Sequence, residues 1–284
     1  MSFRYGQIFR IIMLSLLLSA CKKEHTPPTD TLPPPPPPPE TVTKVLLKDI
    51  TIPHLPSPYY HFEYGTDSLV NKVDYSSGYT IYDVIYNGGK IAEMRNNILV
   101  NHDTLRYTYD SAGKLALIKF INDANVIYRV ASFAYNGRQV KEIEWDQKEG
   151  NVGFQVDRTL TFTYHPDGNL KTITEHRPAV SGSPKFTSTT QFEQYDDKIN
   201  VEDFSLIHDG IHDHLLLLQG FRLQKNNPRK ETYSGGVVSL TYTVDYTYSY
   251  NGDGTPSKKS GDLLFTAGID SGKRFQTESV YTYY

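Results

Sequence analysis

The sequence has one cysteine, one tryptophan and three methionines among its 284 residues. A single cysteine excludes an intramolecular disulfide and any zinc site built from paired cysteines. The net charge is -3 and the pI is about 6.3, so the chain has no basic excess with which to bind nucleic acid. It also lacks an apolar run of the roughly 20 residues that a membrane-spanning helix needs.

The motifs of common enzyme active sites are also missing. The sequence contains no G-x-S-x-G, H-E-x-x-H, phosphate-binding loop or G-x-G-x-x-G pattern. Glu142 and Glu144 share one face of a predicted strand, where solvated charge is the simplest interpretation. Asn251-Gly252-Asp253-Gly254 lacks the spaced carboxylates of a calcium loop and is predicted to be a turn. The sequence therefore predicts a protein that is not an enzyme and that uses no cofactor.

The N-terminus has the features of an exported, lipid-modified protein. Arg4 and Arg10 precede an apolar run at residues 11–18, which has the length of a secretory signal peptide core. The run ends in Leu18-Ser19-Ala20-Cys21, which resembles the lipobox of bacterial lipoproteins. Residues 1–20 are therefore the predicted signal peptide and Cys21 is the predicted lipidation site. Cleavage after Ala20 that leaves the cysteine unmodified is the alternative.

Residues 21–44 are predicted to be a lipidated stalk. Seven consecutive prolines, residues 33–39, favour extended polyproline II, which spans roughly 20 Å over that length. Lys22-Lys23-Glu24 partly resembles the short Lys-acidic export tag of surface-exposed Gram-negative lipoproteins, although a second acidic residue is missing. We expect an outer-membrane lipoprotein of the cell envelope, with display on the cell surface modestly favoured.

One sequence motif recurs through residues 45–284, and its clearest copy is YTYDSAGKL at residues 107–115. Aromatic residues two positions apart point to one face of a β-strand, whereas Asp110 and Gly113 suit a tight turn. The second aromatic residue of the motif, as Tyr109 is in this copy, is a tyrosine at these positions: Tyr64, Tyr86, Tyr109, Tyr135, Tyr164, Tyr195, Tyr250 and Tyr283. Each copy predicts one β-hairpin. Because no change of composition separates the copies, we expect a single repeat domain over residues 45–284.

Apolar and polar residues alternate along the predicted strands. The pattern predicts a buried face that includes Tyr109, Phe133, Tyr135, Phe162 and Tyr164. It predicts a solvent-exposed face that includes Thr108, Thr161 and Thr163. After each turn the apolar residues are three or four positions apart, as in Leu115 and Ile118, which predicts a β-bulge at the start of the strand.

Residues 203–219 break the strand pattern. Apolar residues recur there with helical spacing, Asp203 is a candidate N-cap and Gly220 a candidate C-terminal stop, so we predict a helix. His208 and His212 are one helical turn apart and are candidate metal ligands. They also flank the apolar face, where histidines pack without binding metal, and the sequence therefore predicts no metal site.

The motif Tyr-x-Tyr-Asp-x-x-Gly-x-Leu at residues 107–115 resembles the tyrosine-aspartate repeats of Rhs-type wall and toxin-shell proteins. The lipobox, the stalk, the hairpin repeats and Lys225-Asn226-Asn227-Pro228 together resemble uncharacterised envelope lipoproteins of a domain-of-unknown-function family with a porin-like fold. This resemblance covers about residues 45–284, although the glycine expected after Tyr195 is missing. It implies an all-β antiparallel meander of repeated hairpins that forms a strongly curved sheet or porin-like barrel, with one helix inserted near residues 203–219. The family implies no catalytic residues.

Two functions fit this organisation. The favoured one is a non-enzymatic structural or adhesive module, held at the membrane through Cys21. The alternative is a glycan-binding accessory lipoprotein whose exposed aromatic rings stack on sugars, with Tyr59, Tyr60, Trp145 and Tyr233 as candidates. The expected partners are the membrane and either a glycan or another envelope protein. Because aromatic residues run through the strand centres, and the strand after each turn carries lysines within a few residues of its apolar positions, we expect the domain to be soluble without detergent.

Overall fold

The repeated motif forms β-hairpins in the computed structural model. The structure describes residues 45–98, 102–179, 184–207, 222–236 and 239–284. The strands belong to one structural unit, Lys44–Tyr284. In chain order they are β1 Leu47–Thr51, β2 Tyr60–Tyr64, β3 Val70–Tyr75, β4 Thr80–Asn87, β5 Lys90–Asn96, β6 Thr104–Tyr109, β7 Leu115–Ile121, β8 Ile127–Asn136, β9 Gln139–Glu149, β10 Gly153–Tyr164, β11 Leu170–Arg177, β12 Phe186–Glu193, β13 Lys230–Gly235, β14 Leu240–Tyr250, β15 Pro256–Ala267 and β16 Arg274–Tyr283.

Each strand pairs with its neighbours in sequence, and β1 pairs with β16 to close a barrel. The closing pair is antiparallel, with Ile50 opposite Tyr281. The predicted all-β antiparallel meander of hairpins is therefore confirmed, and the barrel has 16 strands. Odd-numbered strands begin at one end of the barrel, which we call the tyrosine end because the repeat tyrosines lie there. The other end is called the opposite end.

The turns at the tyrosine end use the aspartate and the glycine of the repeated motif. In the turn between β6 and β7, the Asp110 side chain accepts a hydrogen bond from the Lys114 backbone N–H at 2.8 Å. Gly113 has a φ of +79°, in the left-handed region that a residue with a Cβ rarely adopts. The aspartate and the glycine of the motif are thus both required by the shape of the turn.

The predicted β-bulges are present where the odd-numbered strands begin. Thr108 pairs with Leu117 while Tyr109 pairs with Leu115, so β7 contains one extra residue at this point. The same shift occurs beside Tyr86, Tyr135 and Tyr164. The extra residue brings Leu115 and Ile118, which are three positions apart, onto the same interior face, where both are buried.

The alternation predicted from the sequence corresponds to the inside and the outside of the barrel. Phe162 is 5% exposed and belongs to the core, as predicted. Tyr109, Phe133, Tyr135 and Tyr164 pack against the core but are only half-buried. On the outer face, Thr108 and Thr163 are exposed, and Thr161 is half-buried.

Charged side chains form cross-strand pairs on the outer face. Glu93 on β5 accepts hydrogen bonds from Arg95 at 2.6 Å and from Arg106 on β6 at 3.0 Å. The hydrogen bond from Arg95 is the main reason that the pKa of Glu93 is lowered. Lys72 pairs with Glu63 at 3.3 Å on the neighbouring hairpin. These charges occupy the middle of the strands as well as their ends.

The predicted helix at residues 203–219 needs correction in its described part. The described residues form only a short 3-10 helix, Asp203–Ser205, and residues 208–221 lie outside the described part of the chain. Asp203 does not cap this helix. Its carboxylate instead accepts the backbone N–H groups of Leu223 and Gln224, at 2.9 and 2.7 Å. Sequence spacing could not show this, because these partners come from a segment some twenty residues later.

Candidate functional site at the plugged end of the barrel

A series of tyrosine hydroxyls joins the strands at the tyrosine end. Seven of the eight repeat tyrosines donate a hydrogen bond to a backbone carbonyl near the start of the preceding strand. The pairs are Tyr64 to Leu47, Tyr86 to Val70, Tyr109 to Ile91, Tyr135 to Leu115, Tyr164 to Val140, Tyr195 to Leu170 and Tyr283 to Pro256, at 2.6–2.9 Å. The eighth, Tyr250, binds the Asp196 carboxylate. In seven of its eight copies the repeat therefore reproduces one interaction, which joins the strand or segment that contains the tyrosine to the strand before it.

Burial keeps these hydroxyls protonated. It raises the pKa of Tyr64, Tyr86 and Tyr135 to about 12, with smaller contributions from nearby tyrosines or aspartates. A protonated phenol can donate a hydrogen bond to a carbonyl, whereas a phenolate cannot. The tyrosine series therefore keeps its donors throughout the physiological pH range.

Lysines add a second connection between successive turns. Lys90 donates to the Gly113 carbonyl at 3.0 Å and lies 4.9 Å from the centre of the Tyr109 ring. Lys114 donates to the Gly137 carbonyl at 2.6 Å and lies 5.2 Å from the Tyr135 ring. Each of these ammonium groups thus combines a hydrogen bond with a cation–π contact.

The connection between β12 and β13 enters the barrel from the tyrosine end. Its described parts, residues 194–207 and 222–229, are called the plug here. Phe204 packs edge-on against Tyr60 and Phe62 of β2, with ring centroids 5.1 and 5.3 Å apart. Ile207 and Leu223 are almost completely buried. The plug therefore extends the barrel core with its own apolar side chains.

Polar groups of β15 and β16 bind the plug through Glu202. Glu202 accepts hydrogen bonds from Lys259 of β15 at 3.0 Å and from the Tyr281 hydroxyl of β16 at 2.7 Å. Its carboxylate is therefore satisfied by two partners from the barrel. Because both partners lie on the inner face of the barrel, they fix the position of the 3-10 helix that follows Glu202.

Arg158 of β10 also makes a polar contact with the plug. It is 4% exposed, and it donates to Glu175 at 3.0 Å and to the Ile207 carbonyl at 3.4 Å. Its guanidinium also lies 4.9 Å from the centre of the Trp145 ring. A buried arginine in this setting is compensated by a carboxylate, a carbonyl and an aromatic face.

The plug also contains a carboxyl group with an unusual pKa. Burial raises the pKa of Asp203 to about 7, although the N–H groups of Gln224 and Leu223 and the charge of Arg222 act in the opposite direction. Both carboxylate oxygens are used within the plug. Asp203 therefore connects the two described parts of the plug to each other and does not face an open cavity.

The plug leaves little free space between itself and β1–β3. A cavity of about 140 Å³ remains beside it, lined by residues that include Leu47, Phe62, Phe204 and Arg222. Within the described ranges, no group of three or more His, Cys, Asp or Glu side chains is placed to hold a metal ion. No helix of the described residues is both long and apolar enough to cross a membrane.

The residues predicted to stack on a ligand are distributed over several environments. Tyr60 is 2% exposed and Trp145 is 0% exposed, so the expectation that they present free rings is wrong. Both face the barrel interior, in the register of the core. Tyr59 is half-buried and shares a 2.7 Å hydrogen bond with Tyr75, and Tyr233 stacks on Tyr242 at 4.9 Å. The structure does not bring the four rings together.

Cys21, His208 and His212 lie outside the described residues, so their predicted roles remain predictions. The plug contacts of Glu202, Asp203 and Arg158 were not predicted from the sequence. One signal was available for Arg158, because it occupies the inward register that it shares with Leu160 and Phe162. A charged residue at a strand position whose neighbours on the same face are apolar indicates a buried polar interaction.

Comparisons with known proteins identify the fold. No protein-family model and no curated protein match the chain. The chain is similar to the crystal structure of a porin-like protein from Bacteroides vulgatus, with a TM-score of 0.57, 15% identity, and coverage of 85% of this chain and 99% of that one. A porin-like protein from Bacteroides uniformis gives a TM-score of 0.55 at 12% identity and covers 79% of this chain and 89% of that one. These likenesses show a shared barrel fold.

Proposed function

We propose that the chain is a lipid-anchored protein of the bacterial cell envelope whose barrel is a water-soluble structural or adhesive module and not a channel. The anchoring rests on the lipobox that ends in Cys21. The structural role rests on the contents and the surface of the barrel. This combination assigns membrane attachment to the N-terminus and leaves the barrel free to present surfaces to other components of the envelope.

The observation that carries this proposal is the location of the charged side chains on the outer face. Glu93, Arg95 and Arg106 lie on neighbouring strands and project outward. A charged side chain on a lipid-facing barrel surface costs about 2–4 kcal/mol at the bilayer midplane. Paired charges on successive hairpins therefore favour water, not lipid, as the surroundings of the barrel.

The interior supports the same proposal. Large side chains such as Trp145, Tyr82 and Phe120 are fully buried inside the barrel, and Phe204 of the plug packs against the same core. A water-filled pore needs a polar, open lumen along its length. An interior that is filled in this way favours a scaffold over a conducting path.

Two measurements test the proposal. Replacement of Cys21 by Ser is expected to abolish labelling with a fatty-acid analogue and to release the protein from the membrane fraction. A chain that begins at Glu40 contains all 16 strands, and it should run as a single species in size-exclusion chromatography without detergent. Membrane fractionation that is unchanged in the Cys21 variant would contradict the anchor. A requirement for detergent, or conductance in planar bilayers, would contradict the soluble barrel.

A further inference from the structure

The tyrosine end has a second concave feature, which is separate from the plug. It lies between the β8–β9 turn and the β10–β11 turn and has a volume of about 530 Å³. The residues that line it include Asn136, Gln139, Lys141, Tyr164 and His165. Pockets that bind small ligands are typically about 300–1,000 Å³ in volume. We call this feature the inter-turn pocket.

The lysine series is interrupted beside the inter-turn pocket. Lys90 and Lys114 each precede the first apolar residue of their strand and each reach the carbonyl of the next turn. The equivalent residue before Val140 is Gln139, whose side chain is shorter. In the next turn, the Asp167 carbonyl accepts instead from Lys225 of the plug, at 2.9 Å. Lys225 therefore takes at this turn the place that Lys90 takes beside Gly113.

The side chains around this space suit a ligand rich in hydroxyl groups. Asn136 and Gln139 carry primary amides, each of which can donate and accept hydrogen bonds. Tyr164 uses its hydroxyl to bind the Val140 carbonyl, so its contribution to the pocket is an aromatic ring. An aromatic ring beside amides offers one apolar surface and several polar groups, which matches the two-faced character of a sugar.

The charge of the pocket indicates which class of sugar would bind there. Lys141 is exposed and lines the pocket, and none of the described lining residues is an aspartate or glutamate. An ammonium group without a competing carboxylate favours an anionic ligand, because a charge-assisted hydrogen bond is about twice as strong as a neutral one. We propose that the inter-turn pocket binds an oligosaccharide that carries a carboxylate, as uronic acid sugars do.

This binding site goes beyond the proposed structural role and depends on different residues. Asn136 and Gln139 bind the sugar hydroxyls, the Tyr164 ring contacts the apolar face of one sugar ring, and Lys141 pairs with the carboxylate. The aromatic candidates taken from the sequence do not contribute, since Tyr60 and Trp145 are buried in the core. The lysine-to-glutamine change before Val140 is what distinguishes this turn from the earlier ones.

The test is isothermal titration calorimetry on the full chain, purified in a mild detergent, with a galacturonic acid trimer as the probe. Replacement of Lys141 by Ala is expected to weaken binding about tenfold, and Gln139→Ala about threefold to tenfold. Lys171→Ala is the matched control, because Lys171 occupies the equivalent position in the next turn and is exposed. This control should bind like the unaltered protein, and all three variants should have unchanged melting temperatures.

A neutral galactose trimer supplies the second comparison and is expected to bind at least about fivefold more weakly than the acidic trimer. The proposal is overturned if the acidic trimer does not bind, if both trimers bind equally, or if Lys171→Ala weakens binding as much as Lys141→Ala. None of these outcomes bears on the membrane anchor, which is measured separately by fractionation.

Discussion

The two sides of the barrel interior differ in how they are filled. Next to the tyrosine end, the inner faces of strands β2–β11 carry apolar residues such as Ile91, Ile118 and Ile143, all 0% exposed. We call this the packed side. The inner faces of β13–β16 instead carry Tyr246, Lys259 and other polar groups. We call this the polar side.

The difference shows how one plug fits both sides. Phe204 packs on aromatic rings of β2, whereas Glu202 binds Lys259 and Tyr281 on the polar side. Apolar packing has little directional preference, whereas charge-assisted hydrogen bonds require a particular geometry. Apolar contacts therefore hold the plug against β2, and directional hydrogen bonds hold it against β15 and β16.

The largest expected effect is on the packed side. Replacement of Phe162 by Ala should lower the free energy of unfolding by about 3–5 kcal/mol, because it removes a buried aromatic ring and leaves a cavity. Chemical denaturation followed by tyrosine fluorescence measures this loss. Thr108→Ala is the control, since Thr108 is exposed on the outer face and should change stability by less than about 0.5 kcal/mol. An unchanged midpoint for the Phe162 variant would contradict its position in the core.

A smaller loss is expected on the polar side. Glu202→Gln leaves the Lys259 ammonium without its carboxylate partner and should cost about 1–3 kcal/mol. The double variant Glu202→Gln, Lys259→Met removes both charges and should recover part of that loss. A double-mutant cycle, measured by chemical denaturation, separates the pair from other effects. If the double variant is no more stable than Glu202→Gln alone, the pair does not fix the plug.

The smallest expected effect concerns pH and distinguishes the plug from the packed side. The folded pKa of Asp203 is raised to about 7 by burial, above the value of 3.8 that is usual for an aspartate. Stability from this group is therefore present in full below about pH 4 and is lost as the pH rises from about 4 through about 7. Between about pH 6 and about pH 8 the expected loss is about 1 kcal/mol.

The measurement for Asp203 is the pH dependence of the denaturation midpoint, with Asp203→Asn as the comparison. The variant has no titrating carboxyl group at this position, so its stability should change less over that pH interval. A slope that is the same in both proteins would show that Asp203 does not titrate there. The Phe162→Ala variant should keep the slope of the unaltered protein, because it changes packing alone.

The sequence predicted the features that depend on nearby residues. The strand faces, the Asp110 and Gly113 turn and the bulge at Leu115 each arise within a few positions of one another, and all three are present in the barrel. Alternation on the strand with Phe162 also placed that residue correctly in the core.

The features that the sequence did not predict depend on distant residues. β1 and β16 pair across more than two hundred positions, and no local signal distinguishes a closed barrel from a curved sheet. The partners of Asp203 lie in another part of the plug, which its helical spacing could not reveal. Tyr60 and Trp145 were misplaced because a position outside the main aromatic register or near a turn suggested an exposed ring, whereas both lie on the interior face of their strands.

The hydrogen bond from seven of the eight repeat tyrosines to the preceding strand has a consequence for how such barrels evolve. Because most of these contacts are made inside one pair of adjacent strands that are connected at the opposite end, such a pair keeps its own hydrogen bond when its coding segment is duplicated or deleted. The circumference of the barrel can therefore change in steps of two strands. An even strand number is maintained, because the first and last strands of a next-neighbour antiparallel meander must also run in opposite directions.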